Sequence, residues 1–324
     1  MAADPRETGS EPEGHERTPA GVDSPHLDAQ ERRQAATHAP LRALVIHEVL
    51  REEGEFELSR PPAALVWSGL AAGLSMGFSF LTLSLLRASL PDEGWAHVLS
   101  AFGYCIGFVI TVLGKQQLFT ETTLTAMLPL FFRPRWASLA LLLRMWGIVL
   151  ITNIAGTIAF AWLVSRQDMF SPEVRQALSA TAAGSIGDDA VSTIVKAMLA
   201  GWLIALMVWL LPSAGAAAVF VIILLTYVIA LGQFSHIVAG STEAAFAVLT
   251  GTASIADYVF RFFLPTTAGN LIGGVALAAL LNHAPVAHEI AAKAAEVPES
   301  SLNEASPPSD DGVSGERHRP ARPG

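Results

Sequence analysis

The stretch GQFSHIVAGSTEAAF, residues 232–246, closes a run from Ala197 to Thr242 that contains no Lys, Arg, Asp or Glu. Such a run reads as membrane. It nevertheless carries Gln233, Ser235, His236, Ser241 and Thr242, and ends on Glu243. Irregular or polar backbone at bilayer depth persists only where it is buried in protein or lines an aqueous cavity. The stretch therefore reads as a membrane helix broken at GQFSH and restarted at GSTE, facing a pathway.

Composition agrees. The chain has 324 residues, of which 52% are hydrophobic and 15% charged. Residues 61–282 hold nine basic and nine acidic side chains, so the net charge of −9 sits in the two ends. No basic cluster marks a nucleic-acid partner, and no motif calls for a cofactor or a metal. Cys105 is the single cysteine, which excludes an internal disulfide. The first 40 residues lack the apolar segment of a secretory signal. Residues 1–40 and 285–324, rich in Pro, Ser, Glu, Asp and Ala, are expected to be disordered tails. Residues 41–60 form an amphipathic pattern that suits either a helix on the membrane surface or one packed on a partner.

A crossing needs roughly 20 apolar residues. Six are expected within a channel domain of residues 61–284: Pro61–Leu86, Gly94–Gly114, Trp136–Ser165, Val191–Leu211, Ala214–Leu231 and Phe262–Leu281, with a turn at Pro212-Ser213. Arg42, Arg51, Arg60, Arg133 and Arg135 flank one side, which favours both termini in the cytoplasm of a multi-pass plasma (inner) membrane protein.

The second and fifth crossings are both interrupted, each by a short apolar piece after a polar break. Two three-helix halves must be inverted relative to each other, as in many transport proteins. Asn153-Ile-Ala-Gly156 and Asn270-Leu-Ile-Gly273 recur in the third helix of each half, and Thr120-Glu121 and Thr242-Glu243 recur at the breaks. Thr120 or Thr122, and Ser241 or Thr242, are the expected N-caps of the half-helices. The implied fold is an all-α polytopic six-helix bundle of two inverted repeats.

The segments GKQQLFTETTL (114–124), MWGIVLITNIAG (145–156), LAGWLIALMVW (199–209), FSHIVAGSTEAAF (234–246) and LPTTAGNLIGG (264–274) resemble the formate/nitrite transporter family, most closely a divergent YfdC-like branch. The resemblance implies an aquaporin-like subunit, a homopentamer in the lipid bilayer, and a pore for small monovalent anions or their protonated acids. It equates the family's Leu-Phe-Thr loop with Leu118, Phe119 and Thr120, and its central pore histidine with His236. It implies two apolar constrictions, one of Phe108, Leu118 and Ile229 and the other of Tyr104, Phe119 and Ile204. The sequence departs from the family at Glu121, at Ser235 and Gly240-Ser241, and at Gly201, where a pore asparagine is usual.

Each singled-out residue has a plainer reading. His236 suits a neutral imidazole bonded to backbone as well as a pore donor. Glu121 and Glu243 suit helix-start carboxylates as well as groups that lower anion selectivity. Lys196 suits snorkelling as well as a vestibule charge; Lys115 and Lys196 are the expected partners of Glu121. The two functional classes are a channel for small monovalent solutes and a membrane scaffold or sensor that kept the fold without conduction. Ser235 and Ser241 are too close in sequence to His236 for a hydrolase pair, so no enzyme is expected.

Overall fold

A computed structural model describes residues 26–38, 41–132, 134–279, 284, 286 and 287. Among them every regular element is helical: α1 (Ala29–His38), α2 (Ala43–Ser59), α3 (Pro62–Ser89), α4 (Gly94–Leu113), α5 (Phe119–Thr125), α6 (Leu128–Phe132), α7 (Trp136–Val164), α8 (Pro172–Gly184), α9 (Ala190–Ala214), α10 (Ala218–Leu231), α11 (Ile237–Leu249) and α12 (Leu264–Leu271). Wider π-turns, Asp257–Phe263 and Ile272–Ala279, extend α12 at both ends.

Four stretches are long and apolar enough to cross a membrane: α3, α4, α7 and Ala190–Leu231. The last has 42 residues, about 63 Å at 1.5 Å per residue, which is twice a bilayer core. It is a hairpin. Gly215 adopts φ 50° and the chain folds back so that α9 packs on α10. The turn therefore lies at Gly215, and the expected turn at Pro212-Ser213 is inside α9. Proline only removes one amide donor, whereas the reversal requires a left-handed φ that glycine supplies without a Cβ clash.

The two halves are built alike. In the first, α3 packs on α4 and α7; in the second, α9 packs on α10 and α12. The half-helices then cross over: α5 of the first half packs on α9 and the end of α12, and α11 of the second half packs on α7 and α3. Each broken piece is thus buried in the opposite half, where its backbone ends find protein partners instead of lipid.

The amphipathic segment is the helix α2. Its buried Ile46, Leu50, Gly54 and Leu58 recur every four residues and face α5, α6 and α9; Leu41, Val45, Val49 and Phe56 remain exposed on the other side. Residues 29–38 are helical where the composition implies a disordered tail. The cause is local. Asp28 Oδ1 accepts from the amides of Gln30 and Glu31 at 2.7 and 2.8 Å, and the Glu31 carboxylate accepts from the Asp28 amide at 2.9 Å, a reciprocal cap. Apart from residues 286 and 287, the expected C-terminal tail lies outside the described residues.

Candidate functional site

The first half of each broken helix ends in the same way. Gly114, Lys115 and Gln116 donate to the carbonyls of Ile110, Val112 and Thr111 at 2.9, 3.1 and 3.0 Å. Gly232, Gln233 and Phe234 donate to those of Val228, Ala230 and Ile229 at 3.0, 3.2 and 2.9 Å. Lys115 and Gln233 take matching left-handed conformations, φ 49° and 50°. This is the Schellman pattern, which satisfies the last carbonyls of a helix that stops inside the membrane.

Two asparagines restart the chain. Asn153 Oδ1 accepts from the Phe119 amide at 2.9 Å, and its Nδ2 donates to the carbonyls of Gly69 and Gln117 at 2.8 and 2.9 Å. Asn270 Oδ1 accepts from the Ile237 amide at 2.8 Å, and its Nδ2 donates to the carbonyls of Ala197 and Ser235 at 2.7 and 2.9 Å. Both are fully buried. The recurring Asn-x-x-Gly is therefore a pair of clamps. It ties each break to the first and third helices of its half.

The clamps set the register of the repeat. Gln117 corresponds to Ser235, Leu118 to His236 and Phe119 to Ile237. Two expectations are corrected. The half-helices start after Leu118 and His236, so Thr120, Thr122, Ser241 and Thr242 are inside them and are not the caps. Thr120-Glu121 and Thr242-Glu243 are not equivalent: Glu121 is the third residue of α5, and Glu243 the seventh of α11. Short motifs recurred; the hydrogen bonds that define register did not follow them.

His236 caps its own helix. Its Nδ1 accepts from the Ala239 amide at 3.2 Å, and its Nε2 lies 2.8 Å from Thr120 Oγ1. A backbone amide can only donate, so the ring proton is on Nε2 and Thr120 accepts it. The plainer reading of this histidine holds, since it is bonded to backbone, and its other nitrogen joins the two breaks. Phe108 meets the imidazole edge-on, ring centroids 5.0 Å apart, and Tyr104 lies 5.4 Å from Phe108.

A cavity of about 260 Å³ reaches His236 from the face that carries Arg87, His97, Asp188 and Lys196. Tyr104, Ile229 and Glu243 line it. Tyr104 and Ile229, expected in different constrictions, both line this cavity. Phe108, Leu118, Phe119 and Ile204 are buried and are not among its lining residues.

Neither expected lysine forms an ion pair with Glu121. Lys196 pairs with Asp188 at 2.6 Å, and Lys115 with Glu53 at 3.7 Å. Glu121 Oε1 is buried without a hydrogen bond. Helical spacing puts Lys196 within reach of the loop before α9, not of α5. Asp189, beside Asp188, caps α9 through Ser192 and Val191, and these donors hold its carboxyl below its ordinary range.

Gly201 has a packing role. A Cβ there would lie 2.8 and 2.9 Å from Asn270 Cα and C. Gly73, its counterpart in the first half, faces Asn153 in the same way, 2.9 Å from its carbonyl carbon. Residue 201 therefore faces α12, not the axis.

One group of residues was not read from the sequence. Glu57, near the end of α2, accepts from Gln117 Nε2 at 2.9 Å and Thr125 Oγ1 at 2.6 Å, while Arg60 donates to Gln117 Oε1. The cluster holds α2 across the break between α4 and α5. Its members are 60 and 68 residues apart in sequence, so no local pattern announces it.

Residues 44–284 match the family model described as formate/nitrite transporter. The chain belongs to the formate/nitrite transporter family. Among curated relatives, Inner membrane protein YfdC of Escherichia coli (strain K12) is 42% identical over 254 residues, 78% of this chain and 82% of that protein. Formate channel FocA of the same strain is 21% identical over 262 residues, 72% of this chain and 90% of that protein. Among solved structures, an FNT family ion channel superposes with a TM-score of 0.63 at 18% identity, covering 72% of this chain and 96% of that one. A pentameric formate channel with formate bound gives 0.58 at 19% identity, covering 68% and 95%. This formate/nitrite transporter family member therefore has the family's helical membrane fold.

Proposed function

We propose that this chain is a membrane channel or transporter for small monovalent anions or their protonated acids, of the formate type, with His236 at the centre of the pore. The observation that carries the proposal is the 2.8 Å contact between His236 Nε2 and Thr120 Oγ1. It joins the two broken helices at the inner end of an open cavity. Relatives named as formate channels support the solute class.

The subunits assemble as a homopentamer, as in the pentameric channel of similar fold. They sit in the plasma (inner) membrane with both termini in the cytoplasm, on the side richer in arginine. Leu118 and Phe108 close the path beside His236 as movable apolar side chains. No enzymatic role follows: Ser241 Oγ is bonded to the Tyr258 hydroxyl at 3.1 Å, and Ser235 neighbours His236 along the chain.

Flux of formate, nitrite and glycerol into proteoliposomes, beside His236→Ala, tests the proposal. Saturable anion or acid uptake that falls at least tenfold in the variant is expected. A folded wild-type protein that moves no solute would instead make the chain a non-conducting scaffold or sensor.

A further inference from the structure

The cavity runs along one face of α11. His236, Gly240 and Glu243 all line it, and steps of four and three residues put them on one side of the helix. The helix leads from His236 toward the cavity mouth. At its start, His236 meets Phe108, the neighbour of Gly107, which abuts Met76 of α3. Further along, Phe246 packs on Phe80, ring centroids 5.3 Å apart. Phe80 is a turn beyond Met76 on the way to Arg87, which lines the mouth. Gly240 therefore lies about 6 Å closer to the mouth than His236, at 1.5 Å per residue.

Phe262 covers α11 at this level. A Cβ on Gly240 would lie 2.6 and 2.7 Å from Cζ and Cε2 of its ring, so the tip of the ring rests on bare backbone. Phe262 is buried and also lines the cavity. It projects from the π-turn Asp257–Phe263, a widened form of helix that recurs at functional sites. Four residues earlier in that turn, the Tyr258 hydroxyl donates to Ser241 Oγ at 3.1 Å, and the Tyr258 and Phe262 rings lie 6.1 Å apart. Adjacent residues of α11, Gly240 and Ser241, thus fix two aromatic side chains of one turn.

We propose that Phe262 sets the size of the solute that reaches His236, a role that depends on Gly240 having no side chain. This rests on the transport function proposed above and names the residue that confines it to the smallest acids and anions. Gly240 lets the ring seat back against the helix and leave room beside it. A side chain there would push the ring into the cavity. The ring is packed on its far side, and a protein interior yields little to added volume. Discrimination by size follows, at about tenfold or more for a surplus methylene. Phe262 is separate from the expected constrictions: Phe108, Leu118, Phe119 and Ile204 are not among the lining residues of this cavity.

Access to His236 can be read without flux. The full chain carrying Cys105→Ala and His236→Cys is treated in detergent with methyl methanethiosulfonate or the bulkier benzyl reagent. With Phe262 present, the benzyl reagent is expected to react about tenfold more slowly than the methyl reagent, each rate normalised to free cysteine; with Phe262→Ala the two should agree within about threefold. Phe262→Val keeps more of the packing and should move the ratio in the same direction by less. An unchanged ratio in both variants would overturn the assignment. The seating is checked by thermal unfolding. Gly240→Ala should lower the melting temperature by several degrees beside Phe262 and much less beside Phe262→Ala, since the ring that the new Cβ meets is gone. Equal losses in the two backgrounds would reject the seating.

Flux separates this idea from the transport reading. In proteoliposomes, Phe262→Ala is expected to raise propionate uptake relative to formate uptake about tenfold. Formate uptake with an unaltered propionate-to-formate ratio in the variant rejects the role of Phe262 and leaves transport standing. A wild type that moves neither acid ends the transport reading, while the reagent rates still decide whether Phe262 limits access to His236.

Discussion

Asn153 and Asn270 are the same clamp used twice: each accepts from the first amide of a half-helix, at 2.9 and 2.8 Å, and donates to two carbonyls on other segments. Neither lies on the broken helix that it restarts. Truncating either leaves an amide and two carbonyls unsatisfied in the interior. At about 1–3 kcal/mol per orphaned group, partly relieved by relaxation, Asn153→Ala and Asn270→Ala should each lose about 3–5 kcal/mol. Thermal unfolding in detergent checks this. Aspartate should not rescue, because it replaces the donor with an acceptor facing carbonyls.

The two roles of His236 can be separated. Asparagine is a strong N-cap and can take over the Ala239 amide, but it cannot span to Thr120. His236→Asn should therefore unfold within a few degrees of wild type while uptake falls at least tenfold. His236→Ala should lose uptake and, in addition, about 1 kcal/mol for the cap. Equal stability of the two variants would show that the bond to Ala239 carries no weight.

Replacing Gly201 by the asparagine usual in the family should damage the fold and fail to improve conduction. The new Cβ meets the Asn270 backbone at 2.8 and 2.9 Å, and a backbone cannot swing aside as a long side chain can. A cost of about 1–3 kcal/mol for overpacking is expected. Gly73→Ala should behave alike, since Gly73 faces Asn153. Lowered melting temperature in both variants is the readout.

The docking of α2 should depend on pH through Glu57. Burial pushes its carboxyl up from 4.5 to about 6, against the lowering effects of Thr125 and Gln117. A carboxyl with a raised value binds more protons in the docked state, so docking is strongest below about pH 4.5 and weakens as pH rises through about 6. The span corresponds to about 1–2 kcal/mol. Hydrogen exchange of α2, corrected for intrinsic rates, should be slower at pH 5 than at pH 7.5, and Glu57→Gln should remove the difference.

The sequence by itself located the long apolar stretches and the places where two of the helices break. Hydrophobic length and the cost of an unpaired backbone in lipid are local properties, and they are legible residue by residue. The repeat was also visible, in Asn153 and Asn270, and so was the family. Tertiary structure decided what those residues do. The acceptors for the first amide of each half-helix come from α7 and α12, and His236 serves the Ala239 amide, so the threonines and serines that suit capping locally were not needed. Lys196 and Lys115 took Asp188 and Glu53 because those carboxylates lie on segments folded beside them. Glu121, which looked placed for a lysine, was left with one buried oxygen, Oε1, without a hydrogen bond. Glu243, the apparent twin of Glu121, came to line the cavity that reaches His236. A side chain's partner depends on which helix faces it, and that is set by packing of the whole bundle.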